Sequence, residues 1–243
     1  MKTALVTGAN KGIGFEVAKR LAQNGYFVYL GCRDVGRGLS AVQHLQEEGL
    51  SNVAAVQLEV TNSESVSAAY AVIHEKSPVL DVLVNNAGIS GSFQQSALES
   101  TPDQFKEVYE TNIFGVVRVT QAFIGLLKKS TAPRIVNVST SMASLTLAAD
   151  LTDRYYPTRF ALYQSSKAAL NMYTINLAYE LRDTPVKVNA VCPGYTQTDF
   201  TNYQGTSTVQ EAGQRIVKYA LIGDDGPTGK FFSEEYFSEN IPW

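Results

Sequence analysis

The 243-residue chain is predicted to fold as a single-domain α/β structure, a doubly wound parallel seven-stranded sheet with helices on both faces. Three observations predict it. Short runs rich in β-branched and aromatic residues alternate with longer segments whose apolar residues recur at helical spacing, the pattern of parallel strands joined by crossover helices. A glycine-rich turn links the first strand to the first helix. No repeat, low-complexity stretch or Pro/Gly-rich linker divides the sequence, so residues 1–243 are expected to form one domain.

In chain order, strands are expected at Thr3–Thr7, Tyr26–Cys32, Val53–Leu58, Val79–Val84, Arg134–Thr140 and Val186–Cys192, with a short last one at Lys230–Phe232. Between them, Ile13–Asn24, Gly36–Glu48, Ser63–Lys76, Pro102–Lys129, Ala161–Arg182 and Thr208–Leu221 have helical periodicity. Their ends carry turn or cap residues, such as Asn62-Ser63-Glu64 before the third helix and Gly25 after the first. Residues 143–160 and 197–207 read as loops with a functional role.

Composition excludes several function classes. Twenty basic and 23 acidic residues leave a net charge of −3, so no global attraction to nucleic acid or an anionic membrane is expected. Cys32 and Cys192 stand apart without CxxC spacing and read as reduced core thiols rather than metal ligands; no metal site is expected. No leader-type segment or membrane-spanning apolar stretch is read, so the default location is cytoplasmic. The two histidines, His44 and His74, fall on predicted exposed helix faces far from the chemical motifs, which leaves a serine nucleophile without a base.

Thr7-Gly8-Ala9-Asn10-Lys11-Gly12-Ile13-Gly14 lies between the first strand and first helix. Glycines there permit tight turning, and the helix N-terminus offers free N–H groups to a pyrophosphate. The spacing is Gly-x3-Gly-x-Gly, not the GxGxxG fingerprint, and a purely structural turn is the competing reading. After the second strand comes Gly31-Cys32-Arg33-Asp34. NAD-selective folds place a carboxylate there against the ribose 2′-hydroxyl, whereas NADP-selective ones place a base. Arg33 together with Lys11 can neutralise a 2′-phosphate, which favours NADPH. Asp34, one residue later, keeps the NAD reading open.

Tyr163-Gln164-Ser165-Ser166-Lys167 puts a phenol and an ammonium one turn apart on one helix face. A carbonyl that receives hydride needs a proton donor at the developing alkoxide, and a tyrosine with a pKa of about 10 holds its proton at neutral pH. An ammonium about 4 Å away is worth up to about 4 kcal/mol to the phenolate at intermediate dielectric, which opens the reverse oxidation. Asn137-Val138-Ser139-Thr140-Ser141 ends the fifth strand with hydroxyls able to bond the substrate oxygen, or simply to cap their own backbone.

With Thr7-Gly8…Gly12-Ile13-Gly14, Asn85-Asn86-Ala87-Gly88, Tyr163-x3-Lys167 and Pro193-Gly194 in this order, the chain resembles the short-chain dehydrogenase/reductase family over essentially its whole length. The resemblance implies a Rossmann fold and a cofactor site at Gly8, Asn10, Lys11, Gly12, Ile13, Gly14 and Arg33. It places Asn85, Asn86, Ala87 and Gly88 at the end of the fourth strand beside the adenosine ribose. It implies that Asn112 holds a water linking Lys167 to solvent, and that Pro193, Gly194, Thr196 and Thr198 meet the nicotinamide carboxamide. Asn10-Lys11-Gly12, Arg33-Asp34, Cys192-Pro193-Gly194 and Gly226-Pro227-Thr228-Gly229-Lys230-Phe231-Phe232 are similar to the NADPH-dependent carbonyl reductase branch.

Two positions depart from the family pattern. Thr140 stands where the family has its catalytic serine, keeping the hydroxyl but adding a methyl and a stiffer χ1, with Ser141 as the alternate. Glu59-Val60 stands where an aspartate commonly contacts adenine. The segment Leu151-Thr152-Asp153-Arg154-Tyr155-Tyr156-Pro157 lengthens the approach to Tyr163 and is expected near the active-site mouth. The expectation is an NADPH-dependent reductase of ketones or aldehydes, with Asn112, Thr140, Tyr163 and Lys167 as catalytic residues and a small carbonyl compound as substrate. The alternatives are an NAD-linked alcohol or steroid-type dehydrogenase and a non-catalytic dinucleotide-sensing protein; monomer and homo-oligomer both stay open.

Overall fold

A computed structural model describes residues 1–92, 95–152, 158–234 and 241–243. The strands are β1 (Thr3–Thr7), β2 (Phe27–Cys32), β3 (Val53–Gln57), β4 (Val82–Asn85), β5 (Arg134–Val138), β6 (Lys187–Val191) and β7 (Phe231–Phe232). They form one sheet in the order β3-β2-β1-β4-β5-β6-β7, every neighbouring pair parallel. The chain winds outward from β1 to β3 and then returns to the other side of β1 with β4. The loops leaving β1 and β4 therefore diverge and open a crevice at the carboxyl edge of the sheet.

The helices are α1 (Gly12–Gln23), α2 (Val35–Glu47), α3 (Ser63–Lys76), α4 (Pro102–Tyr109), α5 (Gly115–Leu127), α6 (Leu145–Ala148), α7 (Ala161–Glu180) and α8 (Val209–Ala220). Strand side chains alternate between faces, so both faces of the buried strands need apolar residues. Val6, Leu30, Val84 and Val136 pack with Val17, Leu21, Leu45 and Ile216 of α1, α2 and α8 on one face. Leu5, Tyr29, Leu83 and Ile135 pack with Ile73, Phe123 and Ala178 of α3, α5 and α7 on the other.

Three of the differences from the expected boundaries have a visible local cause or consequence. β4 begins at Val82 rather than Val79: the Asp81 carboxylate accepts from Thr3 N at 2.7 Å and Ser130 Oγ at 2.6 Å, tying the chain down before the ladder starts. β5 ends at Val138 rather than Thr140, because the Thr140 hydroxyl accepts from Met142 N at 3.3 Å and starts a 3₁₀ turn over Ser141–Ala143. The helix expected over Pro102–Lys129 is interrupted by a π turn at Glu110–Phe114. Such a turn inserts a residue and rotates the next stretch of helix; here Asn112, within the turn, faces fully inward, with no exposed surface.

Candidate active site

β1 delivers the chain into the glycine turn. Gly8 and Gly12 take φ of +64° and +57°, the left-handed region that favours glycine. A Cβ on Gly14 would lie 2.4 Å from both Gly8 O and Asn86 Nδ2. The N-cap of α1, Lys11, makes no side-chain capping bond, so the helix presents unsatisfied N–H groups to the crevice beside half-buried Asn10 and Ile13. The turn is fastened to β4: Asn86 Nδ2 donates to Thr7 O at 2.9 Å and Gly8 O at 3.2 Å, and the Thr7 hydroxyl accepts from Asn86 N and Ala87 N, both at 3.0 Å. Left-handed glycines, an uncapped helix start and a floor with no room for a side chain fit a pyrophosphate.

At the end of β2, Arg33 is exposed and makes no ion pair or hydrogen bond with the described residues. Asp34 is the N-cap of α2, accepting from Arg37 N at 3.1 Å and pairing with Arg37 Nε at 3.4 Å. Its carboxylate is thus engaged by its own helix. Cys32 is buried beneath Gly38, where a Cβ would lie 2.3 Å from Sγ. Lys11, expected to face a 2′-phosphate, is ion-paired with Asp199, because the 197–207 segment folds back over the glycine turn. An open groove of about 440 Å³ is lined by Asn10, Lys11, Phe15, Arg37, Ser40, Ala41 and His44. His44 therefore lies beside the glycine turn, where it is exposed.

Glu59 is half-buried and accepts from the Thr61 hydroxyl at 2.9 Å, while Arg118 Nη1 donates to Val60 O at 2.6 Å and Val60 packs under Gly115. Asn85 lies inside the sheet, its amide donating to Asn137 Oδ1 at 2.9 Å and Thr120 Oγ1 at 3.1 Å. A Cβ on Gly88 would sit 3.2 Å from Asn112 Oδ1 and 3.5 Å from Lys167 Nζ, so the end of β4 touches both the π turn and α7.

Tyr163 and Lys167 stand on the first two turns of α7. Lys167 is buried, its Nζ donating to Val138 O at 2.7 Å and lying 6.0 Å from the centre of the Tyr163 ring. Burial pulls the Lys167 pKa down to about 8, since desolvation penalises the ammonium. Burial likewise raises the Tyr163 pKa, so the phenol is protonated at neutral pH. Thr140 is half-buried in extended backbone at the end of β5. Ser139 points the other way, donating to Asn171 Oδ1 at 2.7 Å, and Ser141 is buried in the 3₁₀ turn.

Asn112 accepts from Ile89 N at 2.9 Å and donates to Ile89 O at 2.8 Å and Ser166 Oγ at 3.0 Å. Its side chain thus joins the segment after β4 to α7. On the opposite wall, Gly194 has φ +89° and the Thr196 hydroxyl donates to Gly194 O at 3.0 Å. Thr198 packs over the glycine turn, its methyl 3.7 Å from where a Gly12 Cβ would be. The predicted residues thus follow the carboxyl ends of the strands, from Arg33 after β2 to Gly194 after β6, with Tyr163 and Lys167 on α7. Residues 153–157 of the expected substrate loop lie outside the described residues.

Several side chains at this site carried no sequence signal. Gln95 accepts from Tyr163 N at 2.9 Å and donates to Ser90 O and Ser92 O, both at 2.7 Å. Gln164 accepts from Phe160 N at 2.7 Å and donates to Met142 O at 3.1 Å, bracing α7 against the turn after Thr140. Arg215 of α8 donates to Pro193 O at 2.7 Å and Ser207 Oγ at 2.8 Å, closing both ends of the 193–207 segment. Arg37 joins them; its place one helical turn after Arg33 is the one signal that could have found it. Among the described residues no group of three His, Cys, Asp or Glu side chains could hold a metal ion, and no helix is long and apolar enough to cross a membrane.

The chain is similar in sequence and fold to known proteins. (−)-Isopiperitenone reductase of Mentha piperita is 36% identical, the alignment covering 96% of each chain. The structure of salutaridine reductase from Papaver somniferum superposes with a TM-score of 0.83 at 33% identity, covering 96% of this chain and 99% of that one. NADPH-bound carbonyl reductase from chicken fatty liver superposes with a TM-score of 0.85 at 30% identity, covering 100% of this chain and 99% of that one. The family profile described as short chain dehydrogenase matches residues 2–208, and the chain belongs to the short-chain dehydrogenase family of oxidoreductases.

Proposed function

We propose that the protein reduces a ketone or aldehyde carbonyl to an alcohol with NADPH, Tyr163 donating the proton. The observation that carries this reading is the state of Lys167: buried, held by Val138 O and beside Tyr163, with no carboxylate paired to it among the described residues. A buried ammonium without a counter-charge is a costly arrangement for stability alone. Next to a phenol that must become phenolate as it protonates an alkoxide, it is useful.

Residues 1–243 act as one dinucleotide-binding domain, with substrate loops at 143–160 and 197–207. When bound, the dinucleotide supplies the hydride. Gly8, Asn10, Gly12, Ile13 and Gly14 would hold its pyrophosphate, and Lys11 and Arg33 the 2′-phosphate. Glu59 and Val60 would flank the adenine, Asn86, Ala87 and Gly88 the ribose, and Pro193, Gly194, Thr196 and Thr198 the nicotinamide end. The exposed Arg33, unpaired among the described residues, beside an Asp34 engaged as a helix cap favours a 2′-phosphate over a free 2′-hydroxyl.

Tyr163 holds its proton at neutral pH and gives it to the substrate oxygen, to which the Thr140 hydroxyl offers a second hydrogen bond. Lys167 stabilises the phenolate left behind. Asn112 keeps the π turn and the segment after β4 in register with α7, at the point where a water can reach Lys167. The names of the relatives, which include an isopiperitenone and a salutaridine reductase, support the reductive direction. The two separated, reduced cysteines favour the cytoplasm as its compartment.

The test is NADPH consumption with a reactive dicarbonyl and a panel of cyclic ketones, for wild type and Tyr163→Phe. Loss of a general acid lowers the rate by about 10²- to 10⁴-fold; equal rates would remove the catalytic assignment. Comparing NADPH with NADH in wild type and Arg33→Ala tests the cofactor reading, which an unchanged ratio in Arg33→Ala would overturn.

A further inference from the structure

Three consecutive residues of the segment after β6 make three different contacts. The Thr198 methyl lies over Gly12, Asp199 is ion-paired with Lys11, and the Phe200 ring packs on that of Tyr163 with centroids 5.7 Å apart. One short turn, the 3₁₀ segment Asp199–Thr201, thus touches the nucleotide end and the chemical end of the crevice together. It is braced from within: the Thr201 hydroxyl donates to Thr196 O at 2.6 Å, and Tyr203 N donates to Thr198 O at 2.7 Å. These bonds tie the residues of the turn to one another.

Lys11 has two claimants. Asp199 holds it now, and a phosphate at the nucleotide end would carry more negative charge than the carboxylate does. We propose that Asp199 is a cofactor-selectivity residue. By holding Lys11 it makes a 2′-phosphate compete for that ammonium, and the exchange links occupation of the phosphate end to the turn that sets Phe200 against Tyr163. The inference rests on the NADPH reading. Both members of the pair are substantially exposed, with side-chain accessibilities of 58% and 46%, so the pair is weak and exchangeable.

The sign of the expected effect is what separates this role from a structural one. Breaking a merely structural contact loosens the loop and leaves affinity the same or weaker. Removing a competitor for Lys11 strengthens binding, and only for the dinucleotide that carries the extra phosphate. Asp199→Asn keeps the size of the side chain and removes its charge.

The experiment is titration of the full chain with NADPH and with NADH, followed by nicotinamide fluorescence, for wild type, Asp199→Asn, Lys11→Met and the double variant Lys11→Met/Asp199→Asn. Asp199→Asn is expected to lower the Kd for NADPH by about three- to five-fold, the range an exposed ion pair commands, with NADH unchanged. The gain is expected to vanish in the double variant relative to Lys11→Met alone. An unchanged or weaker NADPH Kd in Asp199→Asn, or an equal gain for NADH, overturns the proposal while leaving the NADPH reading intact. Wild type that binds the two dinucleotides equally overturns the NADPH reading itself, and this inference with it.

Discussion

The side-chain oxygen of Gln95 accepts the backbone N–H of Tyr163 at 2.9 Å, across 68 positions of sequence. The first N–H groups of a helix have no partner within it, and the N-cap of α7, Phe160, supplies no side-chain cap. Gln95 supplies from a distant loop what a serine or aspartate N-cap supplies locally. Being buried, and bonded also to Ser90 O and Ser92 O, it fixes the first turn of the helix that carries Tyr163.

Gln95→Ala is therefore expected to cost about 1–3 kcal/mol of stability, the penalty of leaving buried polar groups unsatisfied, and to lower kcat while KM for NADPH stays near wild type. Gln95→Glu keeps the acceptor for Tyr163 N and should retain more of kcat than the alanine variant. Steady-state kinetics beside a denaturant titration checks both. Wild-type kcat in Gln95→Ala would show that the helix start is held without it.

The pH dependence comes from Lys167. Its folded pKa is lowered from 10.5 to about 8 by burial, so the ammonium is present below about pH 8 and lost as pH rises through that value. The reductive rate is expected to fall along an alkaline limb centred near pH 8, since an uncharged Lys167 no longer steadies the Tyr163 phenolate. Stability moves the opposite way. The unfolded chain holds this proton up to about pH 10.5 while the folded chain releases it from about pH 8, so the penalty of the buried charge is complete below pH 8 and is relieved between the two values. Rate profiles of wild type and Lys167→Met separate the two effects, because only the wild type should show the limb.

Gly14→Ala tests the floor of the nucleotide cradle. The new Cβ would lie 2.4 Å from Gly8 O and Asn86 Nδ2, so either the glycine turn or the end of β4 must move. Overpacking of this kind costs about 1–3 kcal/mol, and NADPH affinity is expected to drop by about ten-fold or more. A denaturant midpoint and a fluorescence titration measure the two losses; unchanged values in both would show that the turn relaxes freely.

Asn112→Ala removes the acceptor for Ile89 N and the donor to Ile89 O. Leaving that buried pair unmatched is expected to cost about 2 kcal/mol or more and to lower kcat, because Ser166 and the π turn lose their common anchor. Hydrogen exchange at Ile89, compared between wild type and variant, reports the loss directly. Unchanged protection there would mean the segment after β4 is held by other contacts.

Much of this architecture is legible in the sequence because its signals are local. Leu5 and Val6 are apolar whichever face they take, since a parallel strand in the middle of a sheet is covered on both sides. That is why the seven strands and their alternation with helices can be read directly. Tyr163, Lys167 and the glycine turn are legible as motifs, since four-residue helical spacing and a strand-to-helix glycine run each fix a geometry within a few residues. Asn112 is a different matter. Within a continuous helical pattern it looks like a core hydrogen bond, and only the family resemblance marks it, because a π turn leaves no trace in periodicity.

The amino-acid sequence by itself determined the strands, the sheet class and the glycine turn at the carboxyl edge of the sheet. The tertiary structure alone decided which distant polar groups meet there: Gln95 with Tyr163, Arg215 with Pro193, and Lys11 with Asp199. The reason is physical. Apolar burial is non-directional and is written in the periodicity of each segment, whereas a hydrogen bond or ion pair exists only when two groups are brought within a few ångströms in the right orientation. For partners 68 or 188 positions apart in the chain, that is settled by how the elements pack.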